Sequence, residues 1–289
     1  MLFRSIHCDQ ALFICILVMI LVNGFSNATV SALDRGLTLG DGLFTTLHLK
    51  KQTPVLWSYH TQRIANGCEK LKLPVPDFDS LYEQCCELAA AVADDNVCGK
   101  IIVTRGCGGR GYSPLGCDQS TTIVSAHAYP AHYHDWQSTG VALGVADQRL
   151  GWQPMLAGLK TLNRLEQVLL KEELDTRGLA EAVVLDWQGN VVEVVTANLF
   201  WRKGEQIFTP DLQRAGVCGV MRAFAMQQLS NWQMAAQLVT SGLNSLLNAD
   251  EVWVTNALMG IVPVTGINDV KYEDHRIVRR LQSALAALA

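Results

Sequence analysis

Charge is scarce in this sequence. Asp, Glu, Lys and Arg make up 17% of 289 residues, the net charge is −4, and no block of basic residues occurs. A protein that binds nucleic acid leaves a clustered basic footprint, so the sequence speaks against that class of partner. Internal repeats and low-complexity segments are absent too, and 49% hydrophobic residues mark a chain that folds. None of the nine cysteines forms a Cys-x-x-Cys pair, and their number is odd. A chain of this size needs no disulfide framework, so they read as small buried hydrophobes in a reducing compartment. No apolar run reaches the roughly 20 residues that span a membrane. The run at 11–22, behind Arg4 and His7, has the outline of a secretory leader. Met19 to Val22 followed by Asn23-Gly24 fits better as a short strand entering a turn. On that reading the functional chain starts at Met19, and 1–18 is an N-terminal extension.

What is present is an alternation of strand and helix signals long enough for two domains. Residues 43–49 read as a strand, and Val55 to Tyr59 as its return. Ile64, Cys68 and Leu71 recur at helical spacing over 61–73, before Pro74. A second amphipathic helix covers 78–94, strands cover 100–105 and 121–128, and a connector without periodicity follows Tyr129-Pro130. In the second half, a strand-like 140–145 precedes a helix over 161–177 with Leu162, Leu165, Val168, Leu169 and Leu174 on one stripe. A hairpin turns at Trp187-Gln188-Gly189, further strands cover 197–202, 206–209 and 251–255, and a helix covers 219–229.

Three constellations could carry chemistry. The glycine-rich 106–111 matches neither the P-loop nor the dinucleotide fingerprint, yet Arg105, Arg110 and Tyr112 around it suit an anionic substrate. His127, His132 and His134 lack any supporting carboxylate or thiolate spacing, so no metal site is expected. The third is Lys160 with Glu193 and Arg63. Lys160 stands at the entry to the 161–177 helix, where the macrodipole disfavours a cation. Glu193 alternates with valines in a strand, which taken alone favours the solvent face.

In order and spacing, residues 34–46, 60–63, 156–166 and 193–201 resemble the fold-type IV pyridoxal-phosphate enzymes, and 105–112, 215–222 and 255–259 extend the likeness. It runs from about Met19 to the C-terminus. The resemblance implies an α/β (α+β) chain of two domains, a smaller N-terminal α/β domain at 19–135 and a larger C-terminal pseudo-barrel domain at 136–289 that binds pyridoxal 5′-phosphate. It makes Lys160 the catalytic amine that carries the cofactor and sets Glu193 against the pyridine nitrogen. Arg63 and the backbone N–H groups of Gly219 and Val220 would hold the phosphate, with Asn198, Thr255 and Asn256 as further contacts. Arg105, Arg110 and Tyr112 are the candidates for substrate binding. Within the family the likeness is to its lyases, which implies conversion of 4-amino-4-deoxychorismate to 4-aminobenzoate and pyruvate, a step towards folate, by a cytoplasmic homodimer with no membrane partner. An aminotransferase for D-amino or branched-chain amino acids on the same fold is the alternative, and an exported binding protein a more distant one. Residues 40–42 and 256–259 favour the lyase.

Overall fold

The computed structural model describes residues 19–92 and 94–288, so 1–18, with most of the apolar run, lies outside the described residues. The first part of the chain runs β1 (Met19–Val22), α1 (Arg35–Leu39), β2 (Gly42–Lys50), β3 (Thr53–Pro54), α2 (Trp57–Leu71), α3 (Phe78–Ala90), β4 (Asn96–Thr104) and β5 (Thr121–Ala128). These strands form one antiparallel sheet in the order β1-β5-β4-β2-β3. Alternation along β2 decides what each face does. Leu43, Leu47 and Leu49 point to α2 and α3 and join a core with Ile64, Cys68, Leu81 and Leu88. Phe44, Thr46, His48 and Lys50 point the other way, towards the rest of the molecule.

The remaining chain runs α4 (His132–Thr139), β6 (Val141–Leu150), α5 (Leu165–Arg177), β7 (Glu181–Asp186), β8 (Val191–Val194), β9 (Asn198–Lys203), β10 (Gln206–Pro210), α6 (Val220–Asn231), β11 (Gln237–Val239), α7 (Asn244–Leu247), β12 (Glu251–Asn256), β13 (Gly260–Ile267), β14 (Val270–Lys271) and α8 (Arg276–Ala286). Its mixed sheet has the order β11-β10-β9-β12-β13-β6-β7-β8, with β14 on β13. The sheet curls until β8 lies beside β9, giving a half-barrel. Inside it, Leu199, Val252, Val254 and Val262 are fully buried. On another face Phe200 stacks on Trp253 beneath α6 and α8, with ring centroids 5.4 Å apart. The whole is a two-domain α/β fold.

Several elements differ from the sequence reading, each for a physical reason. Val55 to Tyr59 is not a returning strand. Leu56 adopts a left-handed φ of 56° and α2 begins at Trp57, with buried His60, Ile64, Gly67 and Cys68 on one face. The aromatic residues of this helix pack sideways, Trp57 on Tyr82 and Tyr59 on Phe224. The connector after Pro130 contains α4, which buries no residue and so shows no apolar stripe. The helix expected from 161 starts only at Leu165. Thr161 is fully buried and bridges to Leu43, which pulls 161–164 out of helical conformation. Cysteine burial is also uneven: Cys68 and Cys85 are buried, whereas Cys107 and Cys218 are exposed.

Candidate active site

A cavity of about 220 Å³ lies on the seam between the two sheets, with Thr46, Arg63, Lys160, Glu193 and Thr255 in its walls. Lys160 reaches it from a segment fastened to both domains. The Phe44 N–H donates to the Lys160 carbonyl (2.9 Å) and the Leu162 N–H to the Gly42 carbonyl (3.1 Å). Towards the other domain, the Gly158 N–H donates to Gly216 and the Cys218 N–H to Gly158, each at 2.9 Å. Because α5 begins five residues later, Lys160 is not in a helical first turn, and the conflict with the macrodipole disappears. Its Nζ sits 4.7 Å from the Phe44 ring centroid. Burial above all, then the Arg63 charge, brings its pKa down to about 8, against a partial pull upward from Glu193.

Glu193 is buried, contrary to the solvent-face reading from strand alternation. All four residues of β8 are buried, because the half-barrel covers one face and the seam the other. Burial pushes the Glu193 carboxyl up to about 7, although the Val217 N–H and Lys160 favour its charge. The Val217 N–H donates to Oε2 at 3.0 Å. Asn198 fixes the same corner: its Nδ2 donates to the Val217 carbonyl (2.8 Å), and its Oδ1 accepts from the Gly219 N–H (3.0 Å). A Cβ on Gly219 would lie 2.1 Å from Asn198 Oδ1, so only glycine permits this approach.

The far corner is built for an anion. Gly219 caps α6, and the Val220 N–H at its first position has no intrahelical acceptor. Arg63 donates through Nη2 to Thr45 Oγ1, but its Nε is buried without a partner, as are Thr255 Oγ1 and Arg164 Nε. Such groups are rarely left unpaired unless a ligand meets them. Asn256 lines the cavity too, but its Oδ1 is committed to the Leu258 and Met259 N–H groups at 2.9 and 2.8 Å. A ligand with an aldehyde for Lys160, a ring nitrogen for Glu193 and a phosphate for Arg63, Thr255 and Val220 fits these donors and acceptors.

The three substrate candidates do not meet at this cavity. Arg105 spends its guanidinium on Asp41 (2.7 Å) and on the carbonyls of Leu71 and Lys72, at 2.7 and 3.0 Å. Arg110 and Tyr112 stand exposed on the loop after β4. Arg35 pins that loop by donating to the carbonyls of Gly111, Tyr112 and Ser113. Of the histidines, His127 pairs with Ser125 on β5, whereas His132 and His134 lie on α4, two apart, where they cannot share a face. Sequence reasoning missed Thr46, Tyr133 and Arg164 in the cavity wall. Thr46 could have been found, since it shares a β2 face with Phe44. Tyr133 and Arg164 follow from helix boundaries that carry no apolar signal.

The profile of the class IV amino-transferases matches residues 42–267. An aminodeoxychorismate lyase from Vibrio harveyi is 42% identical over 268 residues, 91% of this chain and 98% of the relative. A solved 4-amino-4-deoxychorismate lyase from Pseudomonas aeruginosa superposes with a TM-score of 0.85 at 38% identity, over 93% of this chain and 98% of that one. The branched-chain amino acid aminotransferase of Escherichia coli shares the fold, with a TM-score of 0.81 at 22% identity over 93% of this chain and 94% of that one.

Proposed function

This chain belongs to the class IV amino-transferase family, and we propose that it acts as an aminodeoxychorismate lyase, converting 4-amino-4-deoxychorismate to 4-aminobenzoate and pyruvate. The observation that carries this reading is identity of 42% over nearly the whole length of a lyase. The cofactor is pyridoxal phosphate. When bound, it supplies an electron sink for the pair released as a bond at the substrate breaks.

The chain's own residues divide the remaining work. Lys160, its pKa brought down to about 8, is the amine that would hold the cofactor through its aldehyde. The same amine, when free, would be placed to take and return protons at a substrate carbon in this cavity. Buried Glu193, held by the Val217 N–H, would face the cofactor's ring nitrogen and favour a proton there. Arg63, Thr255 and the Val220 N–H bind the phosphate, while Asn198 and Gly219 hold the helix end at the right distance from Glu193. The substrate carries two carboxylates, and Arg110 and Tyr112 reach them from the neighbouring subunit of a homodimer. Arg105 instead anchors the base of their loop. The enzyme works in the cytoplasm. Among the described residues no helix is long and apolar enough to cross a membrane.

Pyruvate release from 4-amino-4-deoxychorismate with no keto-acid acceptor present tests the reaction. A requirement for an acceptor would assign the chain to the aminotransferases instead. Borohydride reduction followed by peptide mapping tests the site, and a cofactor adduct away from Lys160 would overturn the roles given above.

A further inference from the structure

A second cavity, of about 550 Å³, opens on the same seam behind the first. The alternation of β2 that sends Thr46 into the cofactor cavity sends His48 and Lys50 into this one, and His134 of α4 stands at its rim. No residue lining it is acidic. None of the three bases forms an ion pair among the described residues. Lys50 brings a positive charge with no carboxylate opposite it in this cavity, and a bound anion would supply that counter-charge. His48 registers the imbalance: burial first, then Lys50 and His134, hold its pKa below the ordinary value against a hydrogen bond to Asn96.

The floor is aromatic and aliphatic. Tyr129 packs on both His48 and His134, with centroids 4.8 and 5.2 Å away and planes tilted by 33° and 34°. Val55, Leu258 and Leu285 complete it. Apolar walls beside one lysine ammonium suit a planar ring bearing one carboxylate better than a hydrated inorganic anion. We propose that this cavity is a second ligand site, for a small aromatic carboxylate held by Lys50 and His134 with its ring against Tyr129.

The site also has a route to the catalytic cavity, because both share the wall at Ala257 and Leu258. Tyr129 Oη donates to the Leu258 carbonyl (2.7 Å), and Gln137 Nε2 to the Met259 carbonyl (2.9 Å). A ring lying on Tyr129 therefore bears on the turn that closes the cofactor cavity. On the lyase reading the occupant is the reaction's own aromatic product, and binding lowers turnover. That identification rests on the proposed function, whereas the site itself does not.

Calorimetry of 4-aminobenzoate and benzoate on the holoprotein, with initial rates, tests it. Both acids are expected to bind, and 4-aminobenzoate to lower kcat as well as any effect on KM. The double change Lys50→Gln with His134→Gln should weaken benzoate binding about tenfold or more, while cofactor absorbance and uninhibited turnover stay unchanged. Tyr129→Phe should retain binding but lose much of the inhibition. Purely competitive inhibition untouched by the double change would overturn the proposal, as would displacement of benzoate by equal concentrations of inorganic phosphate. Benzoate binding requires no turnover. A chain that binds it here yet releases no pyruvate would sink the lyase reading and leave the site standing.

Discussion

Taking water from around an amine penalises its charged form, and at Lys160 that penalty, with Arg63 beside it, sets the pKa at about 8 instead of 10.5. Near pH 8 roughly half of the Lys160 amines are neutral, against about 0.3% for an unperturbed lysine. Capture of pyridoxal phosphate by the apoprotein should therefore accelerate with pH and level off just above 8. Stopped-flow absorbance would show it, and a rate still climbing towards pH 10 would contradict the burial argument. Lys160→Ala should lower lyase turnover by on the order of 10³-fold or more, with circular dichroism unchanged. Glu193 is shifted in the opposite sense, its folded pKa of about 7 lying above the ordinary 4.5. Between those values the folded state holds a proton that the unfolded state has released, and above about 7 the buried charge works against folding of the apoprotein. Glu193→Gln removes that charge and keeps an acceptor for the Val217 N–H. At pH 8 its apoprotein should melt no lower than the parent, while turnover falls by on the order of 10². A clearly lower melting temperature would show that the carboxylate serves the fold instead.

Between elements, the contact that matters most is the approach of α6 to β9. Gly219→Ala would drive a methyl into Asn198 Oδ1, a side chain held at both ends, so the helix start must retreat. Cofactor affinity should drop at least tenfold with little loss of secondary structure, as read by equilibrium dialysis; unchanged affinity would remove this helix end from the phosphate site. Asp41 is the corresponding joint in the smaller domain. Burial opposes its charge, but Arg105 and Arg35 outweigh burial and keep its pKa below the ordinary value. Arg105→Ala should thus destabilise the protein by roughly 2–3 kcal/mol, seen as a lower urea midpoint, rather than raise KM alone. How much of this could be read from the sequence follows from how local each cause is. Strands β2, β5 and β7 were legible because alternation and apolar runs are properties of neighbouring residues. Lys160, Glu193 and Arg63 could be picked out through a resemblance over many segments, but their burial could not. Glu193 is buried by a half-barrel whose strands come from both ends of the domain, and Arg105 is claimed by Asp41, 64 residues earlier. Helix α4, with no fully buried residue, carried no apolar stripe to announce it.

At the scale of the whole molecule, apolar surface is unevenly spread. Leu33 and Leu37 are 76% and 71% exposed, and Tyr112 and Leu115 are 89% and 83% exposed. Arg35, between Leu33 and Leu37 in sequence, ties their segment to the loop of Tyr112 and Leu115 through the carbonyls of 111–113. Isolated exposed leucines need no explanation, but a group of large apolar side chains around a pinned, glycine-rich loop has the character of an association surface. The same loop bears Arg110 and Tyr112, which do not line the cavity of their own chain. The homodimer proposed above, if two-fold across this face, would account for both facts, since each subunit would cover the other's apolar residues and present its loop to the other's site. Leu37→Glu with Leu115→Glu should shift the protein from dimer to monomer in sedimentation velocity and abolish lyase turnover in proportion. Cofactor absorbance should survive, because Lys160, Glu193 and Arg63 all belong to one chain. If the variant sediments as a monomer and keeps full activity, the loop does not cross to a partner, and the carboxylate-binding groups must be sought among Arg164, Tyr133 and Thr46 within the same cavity.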